Sequence, residues 1–172
     1  MLLPYSIFFD ADNVAYFTAD NKAAYKALFS GLPIPGLPEL EGFVFDFSFQ
    51  RNAANCVNPS HPGRDERVRL TLEKLLNRFF ELSPYGVLSF VCDSTDDKHK
   101  ARQRVFNDWH APHKASIKKL TFSLPSGDLQ KDGTPGEIVG GLFYLRTHPL
   151  ASQIEAGLAA EIAVYTMAKA DS

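Results

Sequence analysis

Two cysteines, Cys56 and Cys92, are too few for a disulfide framework, and Cys92 falls in an apolar run. A small secreted fold stapled by bridges is thereby excluded, and a reducing compartment is expected. Long apolar runs are also missing. None approaches the roughly 20 residues that cross a bilayer, so no membrane association is expected. The opening MLLPYSIFFDADN has no basic stretch and meets an aspartate at position 10, so it does not read as a signal peptide. Together these absences predict a cytoplasmic protein. Net charge is small too, at −2, which gives no general attraction to polyanions. There is no CxxC pair, no HExxH helix, no helix-turn-helix signal and no aromatic signature of an RNA-recognition sheet.

What the chain does have is a core's worth of aromatic side chains. Phenylalanine contributes 14 of 172 residues, and hydrophobic residues make up 45%, enough for one domain spanning 1–172 with a substantial interior. Tyr5–Asp10 and Val14–Thr18 read as strands joined at Ala11-Asp12-Asn13, a hairpin. Ala23–Phe29 reads as a third strand. Ser30–Pro38, with prolines at 33, 35 and 38, is a loop. From Phe43 to Phe49 phenylalanine alternates with other residues, which places four rings on one face of a half-buried strand. The cover for that face is a helix from Arg64 to Leu82, whose Val68, Leu72, Leu75, Leu76 and Phe79 share one side.

The next stretch gathers most of the chemistry. Val87–Cys92 has the composition of a buried strand and runs into Asp93-Ser94-Thr95-Asp96-Asp97. A helix follows, capped by Ser94 and stopped at Ala111-Pro112, with Ala101, Val105, Phe106 and Trp109 as its buried stripe. Ser116–Leu124 and Ile138–Arg146 then read as paired strands around a polar, mobile 125–136 segment. Gly140-Gly141 marks a bulge or a close backbone approach. A last helix opens at Pro149, with Leu150, Ile154, Leu158, Ile162 and Tyr165 on one face. The order β-β-β-β-α-β-α-β-β-α predicts an α+β fold, a single mostly antiparallel sheet with about three packed helices.

The segment Cys92-Asp93-Ser94…Asp97…Arg104…Phe106-Asn107…Trp109 resembles a family of small bacterial proteins of unknown function. So does the opening, with aromatic strands around Tyr16-Phe17-Thr18 and Tyr25…Phe29. The resemblance implies the fold and a bacterial setting, and it brings no catalytic residues.

Charge is distributed unevenly. Between Lys98 and Lys119 there are seven basic residues against one acid, a net +6, which leaves −8 on the remainder. Three of the five histidines, His99, His110 and His113, lie there too. The reading this favours is a non-enzymatic binding or regulatory protein. Lys98, Arg102, Arg104 and Lys114 would hold an anionic partner such as a nucleic acid, a nucleotide or an acidic protein. No cofactor is expected on that reading, and the oligomeric state is left open. The alternative is a metal-dependent phosphodiesterase or nuclease. There Asp93 and Asp97 would hold Mg²⁺ or Mn²⁺, with His110 or His113 moving protons. Against it, serine and aspartate at 93–97 are what the first turn of any helix attracts. A zinc site from Cys92, Asp93, His110 and His113, with Cys56 and His61, lacks the usual ligand spacing. An Arg104–Asp108 pair could absorb one cation locally.

Overall fold

The computed structural model describes residues 2–33, 37–52, 54, 65–93, 99–129 and 133–170. In chain order the strands are β1 (Phe8–Phe9), β2 (Ala15–Thr18), β3 (Ala24–Gly31), β4 (Val44–Asn52), β5 (Val87–Asp93), β6 (Ile117–Leu129) and β7 (Pro135–Leu145). The helices are α1 (Glu66–Leu82), between β4 and β5, α2 (His99–His113), between β5 and β6, and α3 (Ala151–Ala170) after β7. The fold is α+β, and its strands form one mostly antiparallel sheet in the order β1-β2-β3-β4-β5-β7-β6. Two compact units divide the chain. The first comprises Met1–Ser30 and Asp46–Pro84, the second Gly31–Phe45 and Tyr85–Ser172.

In the first unit β1, β2 and β3 are antiparallel neighbours, with Phe8 opposite Tyr16 and Phe17 opposite Tyr25. The turn at 11–13 forms because Asp10 Oδ1 accepts the N–H groups of Asp12 and Val14, while Asn13 takes a positive φ of 59°. β1 is shorter than the expected Tyr5–Asp10 strand. Its N-terminal end is diverted, since the Tyr5 N–H donates to Thr71 Oγ1 on α1 at 2.8 Å instead of to a strand. Asp65 caps α1 by accepting from the N–H groups of Arg67 and Val68. The helix then covers phenylalanines as expected: Phe29 lies 4.8 Å from Phe47 and 5.1 Å from Phe79 between ring centroids. Arg67 ties the unit together, its guanidinium over the Tyr5 ring at 4.0 Å, with bonds to Asp20 and to the Leu3 carbonyl. The four-ring face is only partly realised. Phe43 stays outside β4 and is 48% exposed, because its N–H closes a turn onto Leu40 O.

In the second unit β5, β7 and β6 carry a helix on each face. Alternation decides which residues meet which helix. Leu88, Phe90 and Cys92 of β5 share a face with Phe143 of β7, under α2. On the other face Val87, Leu142 and Tyr144 pack with Leu40, Val44 and Ile154, and Leu150 and Leu158 join them at the start of α3. β5 is buried as expected except at Val91, which is 51% exposed. His148 sets the entry to α3. Its Nδ1 accepts the Leu150 N–H, so Nε2 carries the proton and donates to Tyr85 O.

Two expectations shift here, and a third is narrowed to one of its two alternatives. Helix α2 does not stop at Ala111; Pro112 sits within its last turn, where the missing N–H forfeits a single bond near the end of the ladder. The polar 125–136 segment is strand at 125–129 and again at 135–136, since β6 continues to Leu129 with a register irregularity between Pro125 and Leu129 and β7 begins at Pro135. At Gly140-Gly141 the explanation is close approach. A Cβ on Gly141 would run into the Leu120 carbonyl oxygen and the Phe90 ring, and one on Gly140 into the Phe122 ring. The Ser94 cap lies outside the described residues. Among the described residues no helix is long and apolar enough to cross a membrane.

Candidate functional site

The site is built on α2 and the strands beneath it. Phe106 stacks on Phe90 at 4.4 Å, and Trp109, fully buried, meets Phe143 edge-on at 5.0 Å. This apolar seat fixes how α2 is rotated, and with it the direction of every polar residue on the helix. At 3.6 residues per turn, Arg102 and Arg104 lie roughly 160° apart around the axis. Arg104 is exposed, as is Lys100 one turn before it, and the two share the outward side. Arg102 is half-buried, within electrostatic reach of the Cys92 thiol. Lys114, just past the helix, is exposed, and its carbonyl accepts from Arg146 Nε. The set of Arg102, Arg104 and Lys114 is therefore divided between directions. Lys98 lies outside the described residues. The local Arg104–Asp108 pair is not among the ion pairs of the described residues, and Arg104 keeps its charge on the surface.

The acidic cluster can be placed only at its first member. Asp93 ends β5 with its backbone opposite Ile138, and Asp96 and Asp97 lie outside the described residues, as do Cys56 and His61. Of the two histidines, His110 donates from Nε2 to the Ile117 carbonyl at 2.9 Å, which leaves only Nδ1 to take a proton. His113 lies against Trp109 with ring centroids 5.3 Å apart. Among the described residues no three His, Cys, Asp or Glu side chains gather as a metal site would need. Cys92 is buried, and burial pushes its thiol up to about 11 despite Arg102 and Lys119. A thiol so protonated at neutral pH is neither a nucleophile nor a ready metal ligand.

Sequence reasoning left Lys119 as one basic residue among seven, and the fold singles it out. It lies on β6 opposite Phe143, on the α2 face, with Nζ 5.3 Å from the centre of the Phe90 ring and 5.6 Å from that of Phe143. Its bonding partner is the Asn107 amide oxygen, one turn along α2 from Arg104. Burial pulls the Lys119 ammonium below the ordinary lysine value. Its neighbour in sequence fares otherwise: Lys118, on the opposite face, is paired with Glu155 at 2.7 Å. The only sequence signal for this difference is alternation along β6, which assigns neighbouring lysines to opposite faces.

Lys100, Arg104, Asn107 and Lys119 thus form a basic strip along one flank of α2, resting on an apolar floor. Such a strip can bind phosphate or carboxylate groups, and among the described residues it holds nothing that resembles an acid–base or nucleophilic constellation. No curated protein and no solved structure matches the chain significantly. Residues 64–122, which run from the approach to α1 through β5 and α2 into β6, match the model of a family of unknown function (DUF6169), as the motif at 92–109 led one to expect.

Proposed function

We propose that this chain is a non-enzymatic binding or regulatory protein of the bacterial cytoplasm. Its working surface is the basic stretch 92–119, and its partner is an anion: a nucleic acid, a nucleotide or an acidic protein. Lys119 supports this reading most. It is a half-buried ammonium over two phenyl rings whose bonding partner is a neutral amide. Charge held in that way costs desolvation without the return an ion pair gives, and an incoming anion would supply the counter-charge. Lys100 and Arg104 extend the surface outward, and Lys114 prolongs it past the end of α2. No cofactor enters the proposal.

The test is binding of fluorescent single-stranded DNA, ATP and an acidic peptide, each followed over a salt series. An affinity for one of these that falls steeply with salt is the expected result, with Lys119→Met and Arg104→Ala each weakening it several-fold. Binding insensitive to salt, or equally tight in both variants, would remove the anion surface from consideration.

A further inference from the structure

β6 ends the strand order, so one of its two edges has no strand neighbour among the described residues. Which backbone groups face that edge follows from a single bond. The Arg146 N–H donates to Ser116 O at 2.8 Å, so Ser116 turns its carbonyl towards β7. Antiparallel strands alternate, and the register runs unbroken from Ile117 opposite Leu145 to Pro125 opposite Glu137. Lys118, Leu120, Phe122 and Leu124 therefore bond to β7, while Ile117, Lys119, Thr121 and Ser123 point their N–H and C=O groups outward. His110 agrees with this, since it reaches the Ile117 carbonyl from α2. The same bond closes one end of the edge, and Pro125, which has no N–H to offer, closes the other. Between them Lys119, Thr121 and Ser123 form a short ladder of donors and acceptors, and Thr121 and Ser123 are exposed.

We propose that this edge pairs with the same edge of a second copy, antiparallel, about a two-fold axis at Thr121. The register is selected by the ends. Outward residues must meet outward residues, so pairing can shift only two residues at a time. One step one way sets Ser123 against Ile117, whose carbonyl His110 already occupies. One step the other way sets Lys119 against Pro125. Only pairing centred on Thr121 uses all three outward residues of both copies. The side chains agree with that register. Lys119 of each copy meets Ser123 of the other, and the Ser123 hydroxyl is bonded to the Glu137 carboxylate on the same face. Positive thus meets negative twice, as a self-complementary interface requires. Thr121 meets Thr121, and on the opposite face Leu120 meets Phe122, cross-strand pairs of a favourable kind. No like charges oppose one another.

Sedimentation velocity over a wide concentration series tests the pairing. The wild-type chain should pass from monomer to dimer. Thr121→Pro removes an outward N–H at the centre and leaves the β6–β7 ladder intact, and it should weaken the dimer at least about tenfold. Lys119→Glu and Glu137→Lys should each weaken it, and the double swap should restore it. If Thr121→Pro fails to fold, the charge swap decides alone. A chain that stays monomeric throughout overturns the proposal. So does a dimer that neither substitution weakens, or an edge that takes up an acidic peptide while the chain remains monomeric.

Discussion

In the first unit Arg67 and Arg69 of α1 are spent inside the fold, whereas in the second unit Lys100 and Arg104 of α2 are left on its surface. Arg67 is held by Asp20, the Leu3 carbonyl and the Tyr5 ring, and Arg69 by Glu66 and Glu73 on its own helix. Lys100 and Arg104 carry no ion pair among the described residues, and Lys119 leans on an amide. The two helices have comparable length and both cover aromatic rings, so packing alone does not account for the difference. Charge placed within reach of acids closes a fold, and charge kept away from them is available to something else.

The comparison breaks if the second unit's cations turn out to be structural. Its stability is expected to rest on the apolar seat instead, so Trp109→Ala should produce the largest loss, about 3–5 kcal/mol in urea denaturation. Gly141→Ala comes next, at about 2–3 kcal/mol, because the added methyl has to displace the Leu120 backbone or the Phe90 ring. Lys119→Met, by contrast, should leave stability unchanged or raise it slightly, since it removes a desolvated charge and keeps the stem. A loss as large as that at Trp109 would make Lys119 a structural ion.

The first unit sharpens the contrast in the other direction. Arg67→Ala should cost about 1 kcal/mol, read from a melt, because its ion pair is partly exposed and its stacking on Tyr5 is the larger share. The smallest effect expected is one of pH. Bonds from Lys118 and Tyr144 hold the Glu155 carboxyl below its ordinary value. A carboxylate depressed in the folded state adds stability above its unfolded pKa, and that contribution is lost as pH falls through the folded one. The gap between wild type and Glu155→Gln should therefore be present at neutral pH and close on acidification below 4.5, the ordinary glutamate value. A gap that widened in acid would reverse the assignment. A melt with added Mg²⁺ or Mn²⁺ bears on the function directly. No shift is expected, and a metal-specific rise abolished by Asp93→Ala would turn the reading to a phosphodiesterase.

Much of the fold could be read from periodicity. Phe47 under α1, the run from Val87 to Cys92 and the stripe of Val105, Phe106 and Trp109 each follow from a spacing that a single element enforces, although Ala101, expected at the head of that stripe, is exposed. The candidate site was less legible, because its members belong to different elements. Helical spacing already sets Arg102 and Arg104 on different sides, but the seating of α2 on Phe90 and Phe143 decides which of them is exposed. Lys118 and Lys119 are neighbours, yet one is paired with Glu155 and the other sits over aromatic rings.

By itself, then, the sequence determined the α+β order of elements, the aromatic interior and the excess of positive charge between Lys98 and Lys119. These depend on local spacing and composition, which each segment carries with it. Tertiary structure decided which cations are neutralised, which edge of β6 stays open and how far β1 extends. Those outcomes depend on which group of another element the closed fold brings to a given bond: Thr71 to the Tyr5 N–H, Glu155 to Lys118, His110 to the Ile117 carbonyl. No segment contains that information until the chain has closed on itself.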